Sequence, residues 1–285
     1  MYHASRVGTS GMLAVSLLAA VVLLAGAAYA APIDTTTTYL WLGIDTSGPV
    51  QVYTEDGTPT FAGPWGLSGA TGTALDGSGH VWTVQPGGSD SVITEYNSTQ
   101  TPIATINFTK GTENGKGDPS WIEDMAYAGG GTLWLSGYNG VVYHINASGG
   151  VISSFDTGHT YVGVATDGTF LYTTAGFNNS AIIEKRMLDG TLVSSISPAG
   201  IGGLGGLAYD ATEHTFWAGG LSSTLFEIDS SGNVLQNLTE GSGAAHDGLE
   251  WGAIGGGTTP EPGSLLLFGT GLVGLGGMIR RRLGK

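Results

Sequence analysis

The chain has 285 residues, of which 51 are glycine and none is cysteine. The lack of cysteine excludes disulfide scaffolds, thiolate-bound metal centres and thiol nucleophiles. Only 11% of the residues are charged. That is too few to cover the exposed faces of ordinary amphipathic helices, so the composition favours β-structure. The formal net charge of −14 argues against nucleic-acid binding, because affinity for a phosphate backbone comes from Lys and Arg.

The first 30 residues predict a secretory signal peptide. A short segment containing Arg6 precedes an apolar run from Met12 to Ala28. Ala28-Tyr29-Ala30 then supplies the small-x-small pattern that signal peptidases cleave. We therefore expect residues 1–30 to be removed on export, and an uncleaved membrane anchor is the alternative.

Residues 260–285 form a second segment that is set apart from the body of the chain. Pro260-Glu261-Pro262 interrupts regular structure, an uncharged and mainly apolar stretch runs from Leu265 to Ile279, and Arg280, Arg281 and Arg282 close it. A helix over this stretch would span about 22 Å, less than the ~30 Å hydrocarbon core of a bilayer. The positive-inside rule places the arginines at the cytoplasmic face. We expect transient membrane insertion through this tail.

This tail resembles the PEP-CTERM sorting signal of exported bacterial proteins. The Pro-Glu-Pro tripeptide alone occurs often by chance, so the resemblance depends on its combination with the apolar run, the arginines and the signal peptide. It implies processing by an exosortase-type enzyme and a location in the cell envelope, at the cell surface or outside the cell. It also implies a Gram-negative source that makes extracellular polysaccharide. An ordinary C-terminal anchor helix is the alternative.

The body, residues 31–259, repeats itself. Its first phrase is a five-residue unit of small and apolar residues. The five copies of the first phrase begin at Gly72, Asp124, Gly163, Gly206 and Gly248. Its second phrase is an apolar residue followed by an aromatic one. The aromatic residues of the second phrase are Trp41, Trp82, Trp134, Tyr172 and Trp217. A strand, a tight turn and another strand follow. Four short strands in about 40 residues are typical of a β-propeller blade.

The two ends of the body predict how the ring closes. The N-terminal part begins with the second phrase at Leu40-Trp41 and lacks the first, whereas the last copy of the first phrase, Gly248 to Gly252, has nothing after it. The C-terminal strand should therefore complete the N-terminal sheet and leave no free edge. We predict an all-β propeller of about five four-stranded blades, with a fourth strand of the shared blade near Thr60 and Phe61. Six blades, or a stack of two β-sandwiches, are the alternatives.

The repeated phrases are similar to those of NHL-type and gluconolactonase-type propellers over residues 39–254. Those families usually have six or more blades, and this departure weakens any transfer of their chemistry. We expect the second-phrase aromatic residues to pack against the neighbouring blade.

Familiar catalytic and metal-binding motifs are absent or explained by the repeat. Two Gly-x-Gly-x-x-Gly matches, at 200–205 and 269–274, lack a βαβ context. No Gly-x-Ser-x-Gly or His-Glu-x-x-His occurs. Asp76-Gly77-Ser78-Gly79 falls where a hairpin is needed and reads as a turn rather than a calcium loop. Glycosylation sequons such as Asn97-Ser98-Thr99 carry little weight in a bacterial chain rich in Thr, Ser and Asn.

The first-phrase strands should line the central channel, with the residues just before them at its mouth. Those positions hold Thr71, Glu123, Val162, Gly205 and Asp247. Further polar and aromatic residues lie beside the two acids, namely His159, Trp121, Tyr161, His246, Glu250 and Trp251. Carboxylate oxygens suit calcium, so we predict a calcium site formed by Glu123, Asp124 and Asp247. Solvated acids without an ion are the alternative, and we expect no other cofactor.

The leading functional hypothesis is an exported, non-enzymatic propeller that binds or scaffolds extracellular polysaccharide or an envelope protein. The first alternative is a metal-dependent lactonase or hydrolase at the channel mouth, with Glu123 and Asp247 as metal ligands. The second is a self-assembling structural subunit.

Overall fold

The computed structural model describes residues 34–44, 50–60, 69–86, 90–109, 121–175, 181–220, 223–240 and 246–255. Within these ranges all regular structure is β, in 19 antiparallel strands that form five sheets. Over the same ranges there is no helix with the length and apolar character needed to cross a membrane. The predicted signal peptide and sorting tail lie outside the described residues.

Four of the sheets are complete blades of four strands in chain order. Blade 1 contains β3 (Gly72–Leu75), β4 (His80–Gln85), β5 (Asp90–Asn97) and β6 (Pro102–Thr109). Blade 2 contains β7 (Ile122–Gly129), β8 (Thr132–Gly137), β9 (Val141–Ile145) and β10 (Val151–Asp156). Blade 3 contains β11 (Val164–Thr166), β12 (Leu171–Ala175), β13 (Ile182–Arg186) and β14 (Leu192–Ile196). Blade 4 contains β15 (Leu204–Asp210), β16 (Thr215–Gly220), β17 (Thr224–Ile228) and β18 (Val234–Thr239).

The fifth sheet joins the two ends of the body and confirms the predicted ring closure. β19 (His246–Gly252) pairs antiparallel with β1 (Tyr39–Ile44), which pairs in turn with β2 (Gln51–Tyr53). The predicted fourth strand is reduced here to a short segment, in which Thr60 donates its N–H to the carbonyl of Val52. Phe61 lies outside the described residues. We call this sheet the closing blade.

The hydrophobic core lies between successive blades. Trp82 packs with residues of blade 2, Trp134 with blade 3, Tyr172 with blade 4 and Trp217 with the closing blade. All four rings are at most 6% exposed. Burying a large aromatic side chain between two sheets removes much apolar surface from water, so these contacts hold the ring together. The prediction that the second-phrase aromatics face the next blade is confirmed for these four residues.

The outer hairpins of the complete blades share two local features, although in blade 3 the turn acceptor is Asp189, two positions later than in the others. An Asn or Asp side chain accepts backbone N–H groups within the turn, as Asn97 does from Thr99 and Thr101. The outer strand then carries a β-bulge at one repeated position. The bulged residues are exposed and aliphatic in all four blades, namely Ile103, Ile152, Val193 and Leu235. A bulge twists an edge strand away from pairing with another chain, so these edges are protected despite their apolar residues.

Candidate binding site on the propeller axis

The innermost strands approach each other so closely that four of the five equivalent positions on the axis require glycine. A Cβ atom on Gly163 would lie 2.4 Å from the carbonyl oxygen of Gly205, and one on Gly248 would lie 2.3 Å from that of Thr71. Strand pairing places Asp124 at the same position in blade 2. The first phrase therefore has one carboxylate at the place where its other copies have glycine.

Asp124 uses that space to connect three blades. Its Oδ1 accepts the N–H of Met125 at 2.8 Å, and its Oδ2 accepts the N–H groups of Val164 at 3.0 Å and Leu207 at 3.1 Å. The side chain is fully buried, and burial raises the pKa of Asp124 well above its usual range, with the three N–H donors opposing that shift. The carboxyl group thus satisfies inner-strand donors that would otherwise be buried without an acceptor.

The predicted calcium ligands occupy neighbouring but different environments. Glu123 lies at a bulge of β7, between Ile122, which pairs with Gly137, and Asp124, which pairs with Ser136. Its side chain is buried, at 6% exposure. The side chain of Asp247 lies outside the described residues. Because the Asp124 oxygens already accept three N–H groups, the calcium site stays a prediction in which Glu123 and Asp247 would be the main ligands.

Two of the aromatic residues predicted near this mouth, Trp121 and Tyr161, both contact Tyr138, whereas the third, Trp251, lies at the other end of the inner strands. Tyr138 and Tyr161 meet edge to face with ring centroids 4.1 Å apart, and the N–H of Tyr138 donates to the carbonyl of Trp121. Trp121 and Tyr138 are 40% and 37% exposed. His159 instead faces Glu184, with 3.3 Å between Nε2 and Oε1.

An axial cavity lies at the other end of the inner strands. Its volume is about 170 Å³. Val164 and Leu207, whose N–H groups bind Asp124, line this cavity, so the carboxyl group of Asp124 lies just behind its floor. The lining combines aromatic and polar residues, namely Tyr127, Tyr209, Trp251, Glu250, Asp210 and Thr166. An engineered apolar cavity of about 150 Å³ holds one benzene molecule, so this volume suits a single six-membered ring.

Glu250 is the most unusual residue of the cavity wall. It pairs with Trp41 in the closing blade. The residues that pair with the equivalent aromatic in the other four blades are Ala74, Ala126, Ala165 and Ala208. Burial raises the pKa of Glu250 to about 8, although backbone hydrogen bonds from Trp251 and Leu75 favour the charged form. At neutral pH this carboxyl group therefore holds its proton and can both donate and accept a hydrogen bond.

The aromatic rings of the cavity are held in fixed positions by their neighbours. Trp251 stacks on Trp217 with ring centroids 5.7 Å apart, and Tyr209 stacks on Tyr172 at 5.1 Å. The hydroxyl oxygen of Tyr127 accepts the N–H of Gly131. A cavity with rigid ring walls and a neutral carboxyl group can hold a flat, polyhydroxylated molecule in one orientation.

The sequence predicts Glu250 to lie beside the calcium site but does not indicate a role for it. The signal was present, because Gly248-Leu249-Glu250-Trp251-Gly252 is the one copy of the first phrase with a glutamate where the others have alanine. The predicted calcium site lies at the opposite mouth and stays a prediction; phrase order does not indicate which end of the inner strands leaves space between them.

The described residues form a five-bladed β-propeller, and the chain is similar in fold to several solved structures. The chain is similar to one in the crystal structure of a nidogen/laminin complex, with 15% identity over 77% of this chain and 100% of that one and a TM-score of 0.50. It is also similar to a protein of unknown function from Bacteroides caccae, with 12% identity over 76% of this chain and 99% of that one and a TM-score of 0.53. At these identities the likeness shows the fold alone.

The C-terminal segment shows how the protein is sorted. Residues 258–282 match the family model described as the PEP-CTERM protein-sorting motif, and the match includes Pro260-Glu261-Pro262 and the three arginines. A search of curated proteins gave no match. The chain is thus an exported, envelope-associated propeller with a PEP-CTERM motif for processing by an exosortase-type enzyme, and the predicted sorting signal is confirmed.

Proposed function

We propose that this protein is a non-enzymatic binding protein of the cell surface or extracellular matrix, and that its axial cavity holds one sugar unit of an extracellular polysaccharide. The observation that carries the proposal is Glu250, a proton-holding carboxyl group in the cavity wall at a position where the other four blades have alanine.

The chemistry of the cavity suits a neutral sugar. A pyranose ring has apolar faces that stack on aromatic rings and hydroxyl groups that need both donors and acceptors. Tyr127, Tyr209 and Trp251 supply the rings, while Glu250 and Asp210 supply the polar groups. The described part of the body is strongly acidic, which would repel an anionic ligand and so favours an uncharged one.

Export supports a scaffolding role. A protein with a sorting motif of this type is delivered to the envelope, where a rigid propeller can present one sugar-binding cavity to a polymer. The predicted removal of residues 1–30 and processing near Pro260 belong to the same proposal. Neither an envelope protein as partner nor self-assembly is needed for it.

A glycan array followed by calorimetry with the exported protein tests this proposal. We expect binding of oligosaccharides that end in, or contain, an uncharged pyranose, with no turnover of the bound sugar. Glu250→Gln should retain binding because the amide still donates and accepts, whereas Glu250→Ala should weaken it by at least about tenfold through the loss of a buried polar contact. Ala is a fair control because four blades already have it at this position. A wild-type protein that binds no glycan would contradict the proposal.

A further inference from the structure

A second group of ligating side chains lies in blade 1, outside the axial cavity lining. Asp76 follows β3, His80 begins β4 and Glu95 lies in β5. Glu95 pairs with Trp82, two residues after His80, so the side chains of His80 and Glu95 extend from the same face of the sheet. Asp76 faces them across the inner hairpin. The register of two hairpins therefore brings three residues, 19 positions apart at most, to one point.

The three groups converge on one imidazole nitrogen. His80 Nδ1 lies 2.8 Å from Asp76 Oδ2 and 3.0 Å from Glu95 Oε1, and the three ligand atoms all lie within 4.8 Å of one another. Two ligands at right angles, each about 2.1 Å from a metal ion, lie about 3.0 Å apart. The separations between the nitrogen and the two oxygens are therefore close to those of adjacent ligands at right angles around one divalent ion.

The cluster is held in place and open to solvent. Asp76 Oδ1 accepts the N–H groups of Ser78 and His80, at 2.8 Å and 3.1 Å, which fixes the carboxylate. The side chain of His80 is 34% exposed, whereas those of Asp76 and Glu95 are 7% and 15% exposed. An ion can reach the cluster past the imidazole and meet two largely desolvated carboxylates.

Among the described residues, the equivalent positions of the other complete blades do not bring three ligating side chains together. Blade 2 pairs Thr132 with His144, 3.0 Å apart, and blade 4 pairs Thr215 with Glu227 at 3.1 Å. In blade 3, the Lys185 ammonium lies 3.7 Å from the centre of the Phe170 ring. In each of these pairs the two side chains interact with each other. In blade 1 two carboxyl groups face one imidazole nitrogen, so three ligand atoms meet where the other blades have one interacting pair.

We propose that Asp76, His80 and Glu95 bind one divalent transition-metal ion of the Zn²⁺ or Mn²⁺ type. An imidazole nitrogen with two carboxylate oxygens suits these ions, whereas Ca²⁺ prefers a shell of oxygens alone. The ion links the inner hairpin of blade 1 to its third strand and keeps open coordination positions on the solvent side. This site is independent of the sugar cavity.

Calorimetry with Zn²⁺ and visible absorption with Co²⁺, both on metal-stripped full-length protein, test the proposal. We expect saturable binding of one ion and Co²⁺ absorption bands typical of a protein nitrogen–oxygen site. His80→Thr and Glu95→Gln should each weaken Zn²⁺ binding by more than about 100-fold, since even loss of an outer-shell partner costs 10–100-fold. Thr is the residue of blades 2 and 4 at this position, so that variant should fold.

Glu213→Gln is the matched control, because it removes an exposed acid of blade 4 and should leave Zn²⁺ binding unchanged. The proposal is overturned if the wild type binds no ion, if both cluster variants bind like the wild type, or if Ca²⁺ binds the cluster as tightly as Zn²⁺. Loss of Zn²⁺ binding in His80→Thr with glycan binding retained would separate this site from the axial cavity.

Discussion

The Asp124 Oδ2 atom lies 3.1 Å from the backbone nitrogen of Leu207, which is 83 positions later in the chain and two blades further round the ring. The same oxygen accepts the N–H of Val164 from the blade between them. One carboxyl group therefore connects the inner strands of three blades at the point where the axis is too narrow for any side chain on the neighbouring glycines.

This relationship predicts that glycine, which the other four copies have at this position, would destabilise the folded protein at position 124. Asp124→Gly makes blade 2 match the other four copies, but it leaves the N–H groups of Val164 and Leu207 buried without their acceptor. We expect the free energy of unfolding to fall by roughly 2–4 kcal/mol. Urea unfolding measures this, with Asp189→Gly in an exposed turn as the comparison. Equal stability of Asp124→Gly and the wild type would show that the carboxyl group is not a structural link.

The raised pKa of Glu250 predicts a specific pH dependence of stability. The folded protein holds this proton up to about pH 8, whereas an unfolded Glu loses it near 4.5. The contribution is therefore fully present below about pH 4.5 and is lost as the pH rises through 8. Each unit of pKa shift corresponds to about 1.4 kcal/mol.

Thermal or urea unfolding from pH 4 to pH 9 checks this with Glu250→Gln as control. We expect the wild type to lose stability relative to the Gln variant across that window, because only the wild type must ionise a buried group. Asp124 also has a raised pKa, but it is present in both proteins and its contribution largely cancels. Parallel stability curves would contradict the assignment.

Ring closure predicts opposite effects for two C-terminal truncations. Deleting Gly248–Ile254 removes most of β19 and exposes the edge of β1, so the protein should lose its cooperative thermal transition. Deleting Pro260–Lys285 leaves all the described strands intact and should change only the location of the protein in the cell. Differential scanning calorimetry distinguishes the two. If both truncated proteins melt like the intact chain, the closing blade does not hold the ring together.

Sorting should depend on the three terminal arginines. Replacing Arg280, Arg281 and Arg282 with glutamine removes the charges that hold the tail at the cytoplasmic face. We expect unprocessed precursor on an immunoblot of cell fractions, whereas lysine at the same positions should preserve processing. Normal tail removal in the glutamine variant would argue against this dependence.

The predicted calcium site at Glu123, Asp124 and Asp247 is tested by melting temperature. Ca²⁺ at 100 times its Kd stabilises a folded protein by about 2.7 kcal/mol, which is readily measured. We expect a saturable rise in the wild type that is absent from the double variant Glu123→Gln with Asp247→Asn. A flat Ca²⁺ titration of the wild type would dispose of this site.

Much of the fold could be predicted because each repeat unit has the same residue types in the same order. The alanine-to-aromatic pairing of Ala74 with Trp82 recurs in each complete blade, so the order of phrases gives the strand order and the register. The closure followed because the N-terminal part lacks a first phrase and the C-terminal part ends with one. These features depend on period and order, which a sequence shows directly.

The sites were harder to predict, since they depend on distances between strands. The sequence predicts Asp124 and Glu123 as calcium ligands. Asp124 accepts backbone N–H groups because the glycines let the inner strands approach closely, and a sequence does not show that distance. His80 and Glu95 meet only because of the register between β4 and β5. In each case a departure from the repeat, such as Asp for Gly or Glu for Ala, was the available sign.

The pH dependence of glycan binding tests the central claim most directly. If the axial cavity binds a sugar through the protonated carboxyl group of Glu250, calorimetry should show affinity that falls as the pH rises through about 8 in the wild type. The affinity of Glu250→Gln should stay constant over the same range, and Glu250→Ala should bind weakly throughout. Glycan affinity that is equal in all three proteins and independent of pH would contradict the account.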